Sequence, residues 1–153
     1  MEDEQSLITD AHRALIGVKS APVTVTVKEE DARRMCEVLG DSDPRWAAGT
    51  GMAPPYVIAA FGGRPSRNMP FILPNGLLTQ QEWKVSRPFR IGESLQAVSY
   101  VFDIRERLGG RYGHSILLTT STDYLDTEGN LVGSALTTLT QFDPKRATSG
   151  KDE

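Results

Sequence analysis

The feature that most constrains this chain is a change of period along its length. From about residue 81 the apolar residues recur at every second position, and the helical spacing of the first half is gone. A period of two sends alternate side chains to opposite faces of a pleated strand. Residues 95–106 form one long run in which Val98, Tyr100, Phe102 and Ile104 read onto one face. Residues 114–125 are rich in Ile, Leu and Thr, and the turn Asp126-Thr127-Glu128-Gly129-Asn130 leads into residues 131–142, which makes the last two runs a hairpin. A shorter run over 82–85 ends at Arg87-Pro88, and Asn75-Gly76 before it reads as a turn.

The first half is written differently. Leu7, Ile8, Ala11, Ala14 and Leu15 fall along one side of a helical wheel, closed by Gly17. Val23-Thr24-Val25-Thr26-Val27 is a β-branched strand, followed at once by Glu29-Glu30-Asp31, acidic groups suited to a helix N-terminus. Ala32, Met35, Cys36 and Leu39 then give one helical stripe that Gly40 closes, which assigns Cys36 to core packing. Residues 41–55 are irregular. Residues 56–61 are apolar on nearly every side and are expected to be buried all round, and the loop over 64–74 is long enough to hint at function or mobility. Helices first and long strands later is the order of an α+β domain with helices on one face of the sheet. One domain is expected over 1–143, with 144–153 a polar, disordered tail.

Composition removes several function classes. With a formal net charge of −3 and its Lys and Arg scattered, the chain carries no electrostatic footprint for nucleic acid. One cysteine, Cys36, allows no internal disulfide, and no Cys/His spacing suggests zinc, so no metal or cofactor is expected and a reducing, cytoplasmic setting fits. Its first residues are acidic, where a secretory signal is basic. No apolar run reaches the roughly 18 residues of a membrane span. Neither export nor membrane insertion is expected.

Three segments together resemble the MaoC-like dehydratase N-terminal domain (FAS1-like dehydratase) of the hot-dog superfamily, over roughly residues 8–142. The first is Ile16-Gly17, the strand 23–27, and the helix ending Val38-Leu39-Gly40-Asp41-Ser42-Asp43-Pro44; the second is Met52-Ala53-Pro54-Pro55, opening a central helix; the third is Gln81-Glu82-Trp83 through Arg87-Pro88 to Leu95, with the strands after it. The resemblance implies a hot-dog fold, about five antiparallel strands wrapped around a central helix, and a partner chain, since such domains pair through their sheets.

It also implies a chemistry. Active members hydrate an enoyl thioester, or run the reverse dehydration, with a Gly-Asp-x-Asn-Pro-x-His motif. One group must activate water and return a proton while a second orients it. Here the segment reads Gly40-Asp41-Ser42-Asp43-Pro44-Arg45-Trp46: the aspartate is kept, the asparagine is Asp43, and the histidine position holds Trp46. An indole donates one hydrogen bond and accepts none, so it cannot relay that proton. Only Arg45 to Met52 separates the Asp43-Pro44 pair from Ala53-Pro54-Pro55, a shorter stretch than the resemblance implies, which cuts short the loop that would cover a catalytic site. The two histidines, His12 and His114, read as structural or solvent-facing, and Asp41 as an acceptor for backbone N–H groups in the turn after its helix. Trp46 and Trp83 read first as packing residues. Arg105, Arg107 and Arg111 read as a solvated strand end, with a coenzyme A or carrier-protein phosphate as the sharper alternative.

No catalytic residue is therefore expected, and the motif is degenerate at Asp41, Asp43 and Trp46. Trp46, Tyr56, Asn75 and Gly76 are the candidates to line the site of an acyl-CoA or acyl-carrier-protein thioester, with backbone amides near Asn75-Gly76 able to face its carbonyl. The expected role is a non-catalytic, tunnel-forming subunit of a heteromeric enoyl-thioester hydratase or 3-hydroxyacyl dehydratase, whose catalytic partner is a MaoC-like hot-dog chain. The alternative is a stand-alone homodimer that binds an acyl thioester or other apolar molecule without turnover. A third reading is an enzyme of changed chemistry using Asp41 or Asp43.

Overall fold

The alternating runs become one curled antiparallel sheet in the computed structural model, which describes residues 5–61 and 69–146. In chain order the elements are α1 (Asp10–Ala14), β1 (Val23–Thr26), α2 (Glu29–Leu39), a 3-10 turn (Pro44–Trp46), β2 (Met52–Ala53), a 3-10 helix (Pro55–Ala60), β3 (Asn75–Val85), β4 (Phe89–Arg90), β5 (Ser94–Leu108), β6 (His114–Leu125), β7 (Leu131–Phe142) and a last 3-10 turn (Pro144–Arg146). The sheet runs β1-β5-β6-β7-β3, and β2 pairs with β4 apart from it. This is the α+β hot-dog architecture that the resemblance implies. None of the helices among the described residues is long and apolar enough to cross a membrane.

One face of the sheet carries the core, in two clusters. Val25, Ala32, Val57, Ile58, Phe61, Phe89, Leu95 and Tyr124 belong to the first, which joins α2 and the central 3-10 helix to the sheet. Ile8, Leu73, Val101, Ile104, Ile116 and Leu118 form the second, under the N-terminal segment and residues 69–73. Phe89, Leu95, Ile116 and Leu118 are fully buried, each worth about 2–3 kcal/mol in transfer free energy. Between the clusters the same face is hydroxylated, with Ser99, Thr120, Thr122 and Thr137 all buried.

Several expectations are corrected. Val98, Tyr100, Phe102 and Ile104 do not share a face: a register shift between Val101 and Asp103 leaves Phe102 exposed and swings Ile104 into the core beside Val101. A bulge adds one residue, and one residue is enough to exchange the faces. Asn75-Gly76 is not a turn, because β3 starts there, pairing Asn75 with Phe142 and Gly76 with Gln141. The first helix is only five residues long and buries nothing; Ile8, outside it, carries the burial. The central segment is a 3-10 helix in which Val57 and Ile58 are buried but Ala59 is exposed. Met69, Ile72 and Leu73 pack on the second cluster, so the described part of the 64–74 loop is held down. Of the expected tail, Pro144–Arg146 forms a turn in which Asp143 accepts the Lys145 and Arg146 N–H groups, and 147–153 lie outside the described residues.

Candidate functional site

The degenerate motif is built by the end of α2. Glu29, Glu30 and Asp31 occupy its first turn, where they complement the positive helix end. Gly40 ends it in the left-handed conformation, at φ 63°, and so returns the chain on itself: the Gly40 N–H bonds back to Glu37 and the Asp41 N–H to Cys36, at 2.9 Å. Asp43 then caps the Pro44–Trp46 turn, accepting the Arg45 N–H at 2.9 Å and pairing with its guanidinium at 2.7 Å. This turn folds Trp46 inward beneath Arg45, whose guanidinium lies 4.4 Å from the indole centroid. Arg33, reaching from α2, donates to the Trp46 carbonyl and fixes the loop from the other side.

Asp41 is the node of the arrangement. Its Oδ2 accepts from the Tyr56 hydroxyl at 2.6 Å and from the Trp46 Nε1 at 2.9 Å, and its Oδ1 accepts the Asp43 N–H at 2.9 Å. Tyr56 gives its proton to Asp41, so its oxygen is left to accept from the Cys36 thiol, 3.4 Å away. The Tyr56 hydroxyl, then the Asp43 N–H and then the indole all favour the ionised carboxylate and hold Asp41 below its ordinary value. Tyr56 moves the opposite way: burial first, then the neighbouring carboxylate and thiol, push its ionisation far up. Asp41 is thus charged at neutral pH with both oxygens engaged, and Tyr56 is a fixed donor. Such a set can hold a loop and present an aromatic wall. It has no accepting imidazole to take a proton from water.

The structure brings Asp41, Asp43, Trp46 and Tyr56 together and leaves the other candidates elsewhere. Asn75 and Gly76 lie at the sheet end where β6 begins, paired with β7, and no hydrogen bond among the described residues joins them to Asp41. A Cβ at Gly76 would stand 2.7 Å from the Leu139 Cδ2, so a larger residue there would require the Leu139 side chain to shift. His12 closes a capping box, its Nδ1 accepting the Thr9 N–H while Thr9 accepts the His12 N–H. Arg105 pairs with Asp103 on the exposed face of the sheet.

His114 is buried, and it belongs to a site that sequence reasoning missed. Its Nε2 lies 3.0 Å from the Glu106 Oε2, while Glu106 Oε1 accepts the Ile8 N–H at 2.9 Å and the Ser6 hydroxyl. Burial alone would raise the Glu106 carboxyl, but the bonds from Ser6, Ile8 and His114 together outweigh it and hold the group below the ordinary glutamate value. In the sequence the two residues flank Gly109-Gly110, a turn signal that would bring Glu106 and His114 near one another, and the pairing of Leu108 with His114 completes the approach. Among the described residues no group of three or more His, Cys, Asp or Glu is placed to hold a metal.

Comparison with known proteins agrees with this geometry. A chain of the ChsH1-ChsH2 complex from Mycobacterium tuberculosis superposes with a TM-score of 0.66 at 17% identity, covering 82% of this chain and 89% of that one. The C-terminally truncated HadBC (3R-hydroxyacyl-ACP dehydratase) complex from the same organism gives 0.57 at 17% identity, over 82% and 96%. A MaoC-like dehydratase from Phytophthora capsici gives 0.61 at 19% identity, over 84% of this chain, which spans only 48% of that one. At such identities the likeness establishes the fold. No curated protein matches the sequence. The family model described as the FAS1-like dehydratase domain region matches residues 14–135, most of the sheet and the whole Asp41 loop, and the chain belongs to that family.

Proposed function

We propose that this chain is a non-catalytic, acyl-tunnel-forming subunit of a heteromeric enoyl-thioester hydratase or 3-hydroxyacyl-thioester dehydratase, working in the cytoplasm with a catalytic MaoC-like hot-dog partner. The observation that carries the reading is the saturated Asp41 carboxylate, with Trp46 donating to it from the position of the family's histidine. Hydration needs a base to take a proton from water and an acid to return one to the carbon next to the carbonyl. An ionised carboxylate already accepting from Tyr56, Trp46 and the Asp43 N–H is a weak base, and an indole is no base at all. The same geometry disfavours an enzyme of changed chemistry built on Asp41.

The partner is supported by the edge of the sheet. β3 is an edge strand of eleven residues, exposed over most of its length, with Leu77, Leu78 and Trp83 all more than two-fifths exposed. A long apolar edge is a template for another strand. Two of the similar structures are complexes by name, ChsH1-ChsH2 and HadBC. A self-paired dimer that binds without turnover would use the same edge, and the assay separates the two readings.

The test follows loss of enoyl absorbance with the purified chain alone and mixed with its MaoC-like partner. Activity is expected only in the mixture, at least about 10²-fold above this chain alone, the scale of a missing acid–base pair. Full hydratase activity from the chain alone would overturn the reading, and no activity in any mixture would favour the binding module.

A further inference from the structure

Strand β3 has one free side. Strand β7 takes the other from Asn75 to Val85, and no strand among the described residues pairs with the free one. Two features bound the regular part of that edge. At one end a register shift sets Thr79 out of the ladder, with its hydroxyl 2.8 Å from that of Thr140. At the other, the Ser86 N–H still bonds to the Val132 carbonyl, and the Arg87-Pro88 corner then turns the chain toward β4 as Arg87 pairs with Glu93. Residues 80–86 are the uninterrupted stretch, and Trp83 stands at its middle.

The stretch is charge-symmetric about that residue. Glu82 and Lys84, both exposed, flank Trp83 with opposite signs. They lie on the outer face, opposite Leu136 and Ser134 of β7, while Gln81, Trp83 and Val85 lie on the core face, opposite Thr137, Ala135 and Gly133. An antiparallel strand pair related by a two-fold axis sets each residue opposite the one equally far beyond the axis, on the same face. With the axis at Trp83, Glu82 faces Lys84 of the second copy and Lys84 faces its Glu82, and the two indoles meet on the core face. A shift of one residue destroys the match: an axis at Glu82 opposes two carboxylates, and an axis at Lys84 opposes two ammonium groups. Opposite charges across a strand pair stabilise it, and like charges directly opposed do the reverse. The register that uses the whole regular stretch is also the one that pairs the charges.

We infer that a second copy of this chain takes the free edge, β3 pairing antiparallel with β3 about a two-fold axis at Trp83. This rests on the reading of β3 as the interface strand, and it names what holds that edge when the catalytic chain is absent. Self-pairing covers a long, partly apolar edge that would otherwise template uncontrolled association.

The test is sedimentation velocity of the purified full chain over a dilution series, with charge-reversed variants at two exposed positions that leave the core untouched. The wild type is expected to dimerise. Glu82→Lys opposes lysines at both cross-strand pairs and Lys84→Glu opposes glutamates, so each is expected to weaken the dimer about tenfold, the scale of two reversed pairs. The double variant E82K/K84E restores both pairs with the signs exchanged and is expected to recover the wild-type dimer. An equimolar mixture of the two single variants should form the mixed dimer in preference to either self-dimer. A chain that stays monomeric at every concentration overturns the inference, and so does a dimer that the single substitutions leave unchanged or that the double variant fails to rescue. The outcome is separable from the hydration assay: a dimer with this charge pattern whose mixtures are all inactive sinks the tunnel-subunit reading alone, and a monomeric chain that activates its partner sinks the self-pair alone.

Discussion

Two carboxylates, Asp41 and Glu106, each accept from three partners and are each held ionised below their ordinary value, yet they are built in opposite ways. All partners of Asp41 lie within the next fifteen residues, at Asp43, Trp46 and Tyr56. Glu106 takes the Ser6 hydroxyl and the Ile8 N–H from the other end of the chain, and His114 from across a hairpin. The first is a local device that shapes a loop; the second ties the N-terminus to the sheet. This chain does own a carboxylate–imidazole pair, but it sits buried at the hairpin end against the second core cluster, with both Glu106 oxygens engaged. Where the family's motif lies, the imidazole is absent. Residue type alone does not make a site; the elements that position it do.

The largest effect that would break this contrast is loss of the long-range node. Glu106→Leu leaves buried His114 without its carboxylate, takes from the Ile8 N–H the nearer of its two acceptors, and is expected to cost about 3 kcal/mol in urea unfolding. A loss below about 1 kcal/mol, the scale of an ordinary exposed hydrogen bond, would mean that Glu106 does not hold the N-terminal segment. Gln141→Leu is a second, independent long-range test. Fully buried Gln141 accepts the Ile72 and Leu73 N–H groups through Oε1 and donates to the Pro70 carbonyl. Its replacement should cost about 2–3 kcal/mol and raise amide exchange first at Ile72 and Leu73.

The pH dependence is smaller and has a fixed sign. Glu106 has a folded-state pKa below its unfolded value, so its contribution is fully present above the ordinary glutamate value of 4.5 and is lost as pH falls through the folded value. Asp41 carries the same sign from its ordinary 3.8 downward. Urea midpoints should therefore fall on acidification below about pH 4.5, and Glu106→Gln should flatten the upper part of that fall. A wild-type profile that is flat there would contradict both assignments. The smallest effect orders the donors on Asp41: Tyr56→Phe should raise the Asp41 pKa, followed by carboxyl NMR, more than Trp46→Phe does. The reverse order would make the indole the principal partner and Tyr56 a bystander.

Much of the scaffold was legible because it is written locally. Gly40 after the 32, 35, 36, 39 stripe marked the end of α2, and Asp126 to Asn130 marked the last hairpin; there Asp126 accepts the Glu128 and Asn130 N–H groups, each at 2.9 Å. The Asp41 turn was legible for the same reason, as an aspartate accepting a backbone N–H two residues on. What failed was whatever depends on a partner strand. Nothing near Asn75-Gly76 distinguishes a turn from the opening of an edge strand until β7 lies beside it, and nothing near Phe102 announces the bulge that sends Ile104 inward.

The sequence by itself determined the α+β order, the hairpin, the family and the missing imidazole, because short-range periodicity, turn chemistry and residue type are properties of neighbours along the chain. Only the tertiary structure decided that Tyr56 and Trp46 converge on Asp41, that Glu106 captures Ser6 and Ile8, and that Gln141 holds the Ile72 and Leu73 N–H groups. Those are meetings between segments brought together by sheet register and core packing, and each depends on which face of a strand a side chain takes, a choice that a single added residue reverses.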